Sequence, residues 1–130
     1  MKYIAIDLGL KRIGLAYSAH KDIATPLAAV LRKNRDQASA EVKKVLLEWE
    51  VDAVVVGIPL GGSSEEEMKR RIAHFMNLVD FEGKVFYQDE AGSSKEAESL
   101  MKGEMKQVRD GRIDSLSAMI ILQRYLRTLR

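Results

Sequence analysis

The run Ala53-Val54-Val55-Val56-Gly57, entered through Asp52, constrains this chain more than any other feature. It offers water no polar side chain over the length of a strand, so the strand it forms has to be covered on both faces. Helices are the usual cover, and the segments on either side have helical spacing. From Asp36 to Trp49, the residues Ala38, Val42, Val45, Leu46 and Trp49 recur on one face, with Glu41, Lys43, Lys44 and Glu48 on the other. From Ser63 to Val79, the residues Met68, Ile72, Phe75, Met76 and Val79 do the same, and Ser63 and Glu66 have capping-box spacing.

The chain before this unit is β-rich. Tyr3 to Leu8 stops at Gly9, and Ile13 to Ser18 follows after Lys11-Arg12, which is the pattern of a hairpin. A third extended piece runs from Thr25 to Leu31, and Arg32-Lys33-Asn34-Arg35 reads as a charged turn. After the second helix, Val85-Phe86-Tyr87 is a strand ending in Gln88-Asp89-Glu90. Ser93 and Glu96 offer another capping box for a helix to about position 102, and a last helix runs from Arg112 to Leu129. The expected order is β-β-β-α-β-α-β-α-α: a mixed α/β fold with an antiparallel start and parallel strands joined by crossover helices.

At 130 residues the chain has room for one domain, since about 100–200 residues is the usual allowance. With Lys+Arg 21 against Asp+Glu 19, the net charge of +2 neither requires nor excludes a nucleic-acid partner. There is no cysteine, which removes disulfides, thiolate metal sites and a cysteine nucleophile. His20 and His74 lack metal-ligand spacing, so any metal falls to carboxylates and is a hard ion such as Mg2+ or Mn2+. The N-terminus has no signal-like apolar stretch, and no run reaches the roughly 18 apolar residues of a membrane span. The expectation is a soluble cytoplasmic protein with no membrane partner.

Three places carry acids that could work together. Asp7 ends the first strand within Asp7-Leu8-Gly9-Leu10-Lys11-Arg12-Ile13-Gly14. There Gly9 permits close approach of a phosphate, and Lys11 and Arg12 can meet its oxygens. The same spacing also describes an ordinary hairpin turn with solvated charges. Asp89-Glu90 ends a later strand, where alternation lets one of the two reach a given site. Asp114 lies on the apolar half of the last helix, between Ile121 and Tyr125 on the helical wheel. A first-turn acid suits the helix dipole, but the dipole does not ask for one facing the core. Converging carboxylates repel unless a cation neutralises them, and two divalent ions so held hydrolyse phosphodiesters. Val56-Gly57-Ile58-Pro59-Leu60-Gly61-Gly62 reads equally as a phosphate-binding loop, through Gly57 and Pro59, or as a flexible rim. Glu65, Glu66 and Glu67 oppose the first reading.

These segments, in this order, resemble the YqgF/RuvX family, Holliday-junction-resolvase-like proteins regarded as pre-16S rRNA nucleases. The likeness rests on positions 7–14, on Val56-Gly57-Ile58-Pro59-Leu60, on Asp89-Glu90 and on Asp114-Ser115-Leu116-Ser117-Ala118, and covers nearly the whole chain. It implies an RNase H-like fold with a mixed five-stranded sheet flanked by helices, in one nuclease domain over 1–130. It implies catalytic acids at Asp7, Glu90 and Asp114, and Mg2+ or Mn2+ held by Asp7, Asp89, Glu90 and Asp114, with Glu90 favoured over Asp89. Gly9, Lys11, Arg12, Gly57 and Pro59 would meet substrate, either pre-16S rRNA during ribosome biogenesis or branched DNA. Two features depart from the family pattern: Ala91-Gly92 follows the acidic pair in place of an arginine, and Gly61-Gly62-Ser63 shortens the loop. They bear on substrate preference and on whether the chain instead binds nucleic acid without cutting it, as a ribosome-assembly factor. An ATPase of the actin-like superfamily would need two such domains. Further basic residues that could face nucleic acid are Arg32, Lys33, Arg35, Lys102, Lys106, Arg109 and Arg112. A homodimer is left open.

Overall fold

The computed structural model describes residues 1–20, 23–101 and 111–129. β1 (Tyr3–Leu8) and β2 (Arg12–His20) pair antiparallel from Tyr3 against Ser18 to Leu8 against Ile13. β3 (Ile23–Leu31) pairs antiparallel with β2, beginning two residues earlier than the sequence suggests. Then come α1 (Arg35–Glu48), β4 (Ala53–Ile58), α2 (Glu65–Val79), β5 (Lys84–Asp89), α3 (Ser93–Leu100) and α4 (Arg112–Arg127). β4 lies parallel to β1 and β5 parallel to β4, giving the sheet order β3-β2-β1-β4-β5. This is the expected mixed five-stranded sheet.

The two faces are covered by different helices. Ile4, Ile6, Val54 and Val56 point into a core with Ala38, Val42 and Leu46 of α1 and Ile72, Phe75 and Val79 of α2. Tyr3, Ala5, Ala53 and Val55 point the other way, against Ala118, Ile121, Leu122 and Leu126 of α4. Alternation along β1 and β4 therefore feeds both layers, which is why the valine run has no polar position. α3 docks on α4 through Ala97, Met101, Ile113 and Ile120.

The helix starts differ from the expected ones. Asn34, expected in a charged turn, is the N-cap of α1 and forms a full capping box with Gln37. α2 starts after Ser64 with no side-chain cap bond, so the Ser63–Glu66 box does not form. Glu65 instead accepts from the Gly61 N–H (2.7 Å). α3 is entered through Gly92, in the left-handed region at φ 74°. Ser93 sits inside α3 and bonds Ser117 of α4 (2.7 Å), so the second expected box is also absent. Lys102, Glu104, Lys106, Arg109 and Asp110 lie outside the described residues. Among the described residues, no helix is long and apolar enough to cross a membrane.

Candidate functional site

β1, β4 and β5 run the same way, so their carboxyl ends share one edge of the sheet. Asp7 is the next-to-last residue of β1 and continues the row of Tyr3 and Ala5, which faces α4. It is flanked by two glycines. Gly14 is its partner across β2, and Gly57 lies one position beyond the last parallel pair, Ile6 against Val56. With strands about 4.8 Å apart, these missing side chains open the sheet surface on both sides of Asp7.

Each gap is filled from above by a segment carrying an acid. A Cβ on Gly14 would lie 1.9 Å from the Asp114 carbonyl oxygen, so the first turn of α4 rests on bare backbone there. A Cβ on Gly57 would lie 3.2 Å from Cβ of Glu90 and 2.5 Å from Cδ1 of Ile121. The Glu90 N–H donates to the Ile58 carbonyl (3.0 Å), tying the end of β5 to the end of β4. Gly57 is buried, which corrects its assignment to substrate binding: its role is to seat Glu90 and α4.

Electrostatics separates the acids. Burial, then the charges of Asp7 and Asp89, push Glu90 up from 4.5 to about 6. Asp89 Oδ1 accepts from the Ala91 N–H (3.2 Å) in a local turn. Asp114 takes another course. Its Oδ2 accepts from Arg12 Nε at 2.9 Å, with its side chain only 14% exposed. Asp114 was expected to add to the repulsion; the structure gives it a guanidinium 102 residues away in the chain.

The remaining candidates are placed as follows. Gly9 makes the hairpin turn, its N–H donating to the Arg12 carbonyl, and its own carbonyl accepts from Arg32 Nη1 (2.7 Å). Lys11 is exposed at the turn, and Pro59 is half-buried just past β4. The loop beyond Pro59 is not an open phosphate cradle, because Glu65 already occupies the Gly61 N–H and is held below the usual carboxylate range by that bond. Sequence reasoning missed Arg124, whose Nη1 donates to the Asp89 carbonyl (3.2 Å) and Nη2 to Glu96 (2.8 Å). From α4 it braces the β5 exit where no arginine follows Glu90. An arginine near a helix end carries no sign of such a contact. Gly14 was visible as part of a motif, but only the packing gives it a role.

Would these residues suit a divalent ion? The donors are hard carboxylate oxygens, and Glu90 is raised because Asp7 and Asp89 crowd it, a strain that a cation relieves. Among the described residues no three acids or histidines already stand in metal-holding positions. Mg2+ needs no such cage, since it commonly takes one or two carboxylates, waters and substrate phosphate. Asp7 and Glu90 fit that mode.

The Glu90 shift makes stability depend on pH. Below its ordinary value of 4.5 the carboxyl is protonated in both folded and unfolded chains, and no penalty arises. As pH rises toward about 6, the folded chain binds the proton more tightly than the unfolded one, so metal-free stability falls across that window. The shift is worth about 2 kcal/mol for a dry group and roughly half that for one still touching water. Glu90→Gln is therefore expected to gain about 1 kcal/mol over wild type near pH 7.5 and little near pH 4. Urea melts in chelator at both pH values check this, and an equal gain at both would assign it to packing.

The family described as "RuvX: Holliday junction resolvase" matches residues 1–128. A protein of Sulfurimonas denitrificans named "Putative pre-16S rRNA nuclease" is 81% identical over 127 residues, covering 98% of each chain. Two solved structures share the fold. A fowlpox virus resolvase with Holliday junction DNA has TM-score 0.60 and 13% identity, covering 99% of each chain. A Thermus thermophilus RuvC with a Holliday junction substrate has TM-score 0.58 and 17% identity, covering 99% of this chain and 95% of that one. At such identities the likeness establishes the fold, the RNase H-like one that the sequence resemblance implied.

Proposed function

The chain belongs to the RuvX Holliday junction resolvase family, and from that premise we propose that it is a metal-dependent nuclease, one RNase H-like domain over residues 1–130. Its substrate is structured nucleic acid. The name carried by the 81%-identical relative favours precursor 16S rRNA, which a cytoplasmic enzyme would trim during ribosome biogenesis. The observation that carries the reading is Glu90, buried at the carboxyl edge of the sheet and raised to about 6 with Asp7 and Asp89 beside it.

In this reading Asp7 and Glu90 hold Mg2+ or Mn2+, with Asp89 adding negative charge to the same edge. When bound, the ion supplies Lewis-acid polarisation of the phosphoryl oxygens and lowers the pKa of water at the site. Lys11 draws the phosphate backbone toward the hairpin turn. Arg12 has two claims on it: it pairs with Asp114 and faces the approach of substrate. A phosphate that takes over the guanidinium frees Asp114 to act as the third acid. Gly9 and Pro59 shape the approach without offering a charge.

The test is an assay of the purified protein on a 5′-extended 16S precursor fragment and on four-way junction DNA, with Mg2+, Mn2+ or chelator. Cleavage of the RNA with metal and none in chelator is the expected result. Cleavage of the junction alone moves the substrate to branched DNA. A homodimer belongs to that second outcome, since two symmetric cuts suit two symmetric sites. Binding of RNA without cleavage under any metal overturns the nuclease reading in favour of a non-catalytic assembly factor.

A further inference from the structure

The face of the sheet away from Asp7 has a site of its own at the same edge. Leu8 follows Asp7 in β1 and points to the α1–α2 layer, where it packs against that core. Beside it opens a cleft of about 270 Å3 walled by Arg32 and Arg35 at the start of α1 and by Arg70, Arg71 and His74 of α2.

The cleft gathers positive charge that the protein does not neutralise. Among the described residues, none of these arginines forms an ion pair with a carboxylate. Several side chains are already held in place. Arg32 donates to the Gly9 carbonyl (2.7 Å) and lies over the Phe75 ring at 5.8 Å. Arg35 donates to His74 Nε2 (3.1 Å). Burial and the neighbouring charges of Arg71 and Arg35 push Arg32 below its ordinary value, so the folded chain carries a cost that a bound anion would relieve. Guanidinium groups from two helices, converging without counter-ions, suit the tetrahedral oxygens of a phosphate.

We propose that this cleft binds a backbone phosphate of the nucleic acid whose cleavage site lies at Asp7 and Glu90, so that the strand passes over the carboxyl edge from the α4 face to the α1–α2 face. The inference rests on the nuclease reading above and adds where the rest of the substrate goes. β1 makes the link: Asp7 and Leu8 are adjacent in sequence and look to opposite sides, so a strand crossing this edge touches both. Gly9 couples the two sides, since its turn carries Lys11 and Arg12 while its carbonyl fixes Arg32.

Arg70 and Arg71 are exposed, so Arg70→Gln together with Arg71→Gln removes two charges without disturbing the core. Binding of labelled precursor RNA and junction DNA is read by fluorescence anisotropy in chelator across a salt series, and cleavage is read separately with Mn2+. The double variant should bind about tenfold or more weakly at physiological salt. Its slope of log K against log salt should be shallower by about 1.4–1.8, two contacts at 0.7–0.9 each. At saturating substrate it should still cut. Unchanged affinity and slope overturn the proposal. So does loss of stabilisation by inorganic phosphate in the variant with polymer binding intact, which marks a free-anion site. A wild type that binds with the predicted salt response but never cuts sinks the nuclease reading and leaves the cleft standing. A wild type that cuts, with a variant unchanged in binding, sinks the cleft alone. Failure of wild type to bind either polymer overturns both.

Discussion

Asp7→Asn is expected to lower nuclease turnover by at least about 100-fold, because losing only an outer-shell partner of a metal site already costs about 10–100-fold. The amide keeps the size of the carboxylate and removes its charge, so the site loses one of the two oxygen donors that fit a divalent ion. Nucleic-acid binding should persist, since the basic residues are untouched. A second readout separates this from misfolding. Asp7 is one cause of the raised Glu90 value, so in the variant Glu90 should titrate closer to 4.5. Carboxyl NMR of the metal-free proteins measures that shift. Wild-type turnover in a variant whose Glu90 has moved would exclude Asp7 from the reaction.

Gly14→Ala is expected to produce the largest loss of stability, about 3 kcal/mol or more, at the upper end of what overpacking costs. The added methyl would meet the Asp114 carbonyl oxygen at 1.9 Å, its carbon at 2.3 Å and the Ser115 nitrogen at 2.9 Å, all backbone. None can turn aside as a side chain would, so α4 must lift. Lifting it strips Ser115 Oγ from the Leu15 N–H, which donates to it at 3.3 Å, and disturbs the Arg12–Asp114 pair. For a chain of this size the melting temperature should fall by about 10 °C or more. Gly57→Ala is the control. Its methyl meets chiefly Cδ1 of Ile121, a flexible side-chain tip, so its cost should be clearly smaller. Equal melting of Gly14→Ala and wild type would show that α4 does not rest on β2 as described.

Much of the architecture was legible because it depends on local pattern. The period-two strands, the period-3.6 helices and the doubly buried valine run each report the surroundings that their side chains need. Helix starts were less legible. Ser63–Glu66 and Ser93–Glu96 have the spacing of a capping box, but spacing does not say which residue adopts the N-cap backbone. Ser93 is drawn instead into a buried bond with Ser117. Asn34 and Gln37 formed the box that a reading centred on charge passed over.

The candidate site divides in the same way. That Asp7 ends a strand, that Glu90 follows another and that Asp114 looks toward the core could each be read from a few neighbouring residues. Which acids stand together could not, because charge interactions depend on distances between segments far apart in the chain. Tertiary packing decided that Glu90 is crowded by Asp7 and Asp89 while Asp114 meets Arg12. It decided that Gly14 and Gly57 serve packing, through the close approach of α4 and Glu90 to the sheet. It also gathered Arg32, Arg35, Arg70 and Arg71 into one cleft, though two helices contribute them. By itself the sequence determined the order of the elements and the faces they bury, because those follow from the spacing of apolar side chains. The fold alone determined the partners of the charged groups, because those follow from where distant segments come to rest.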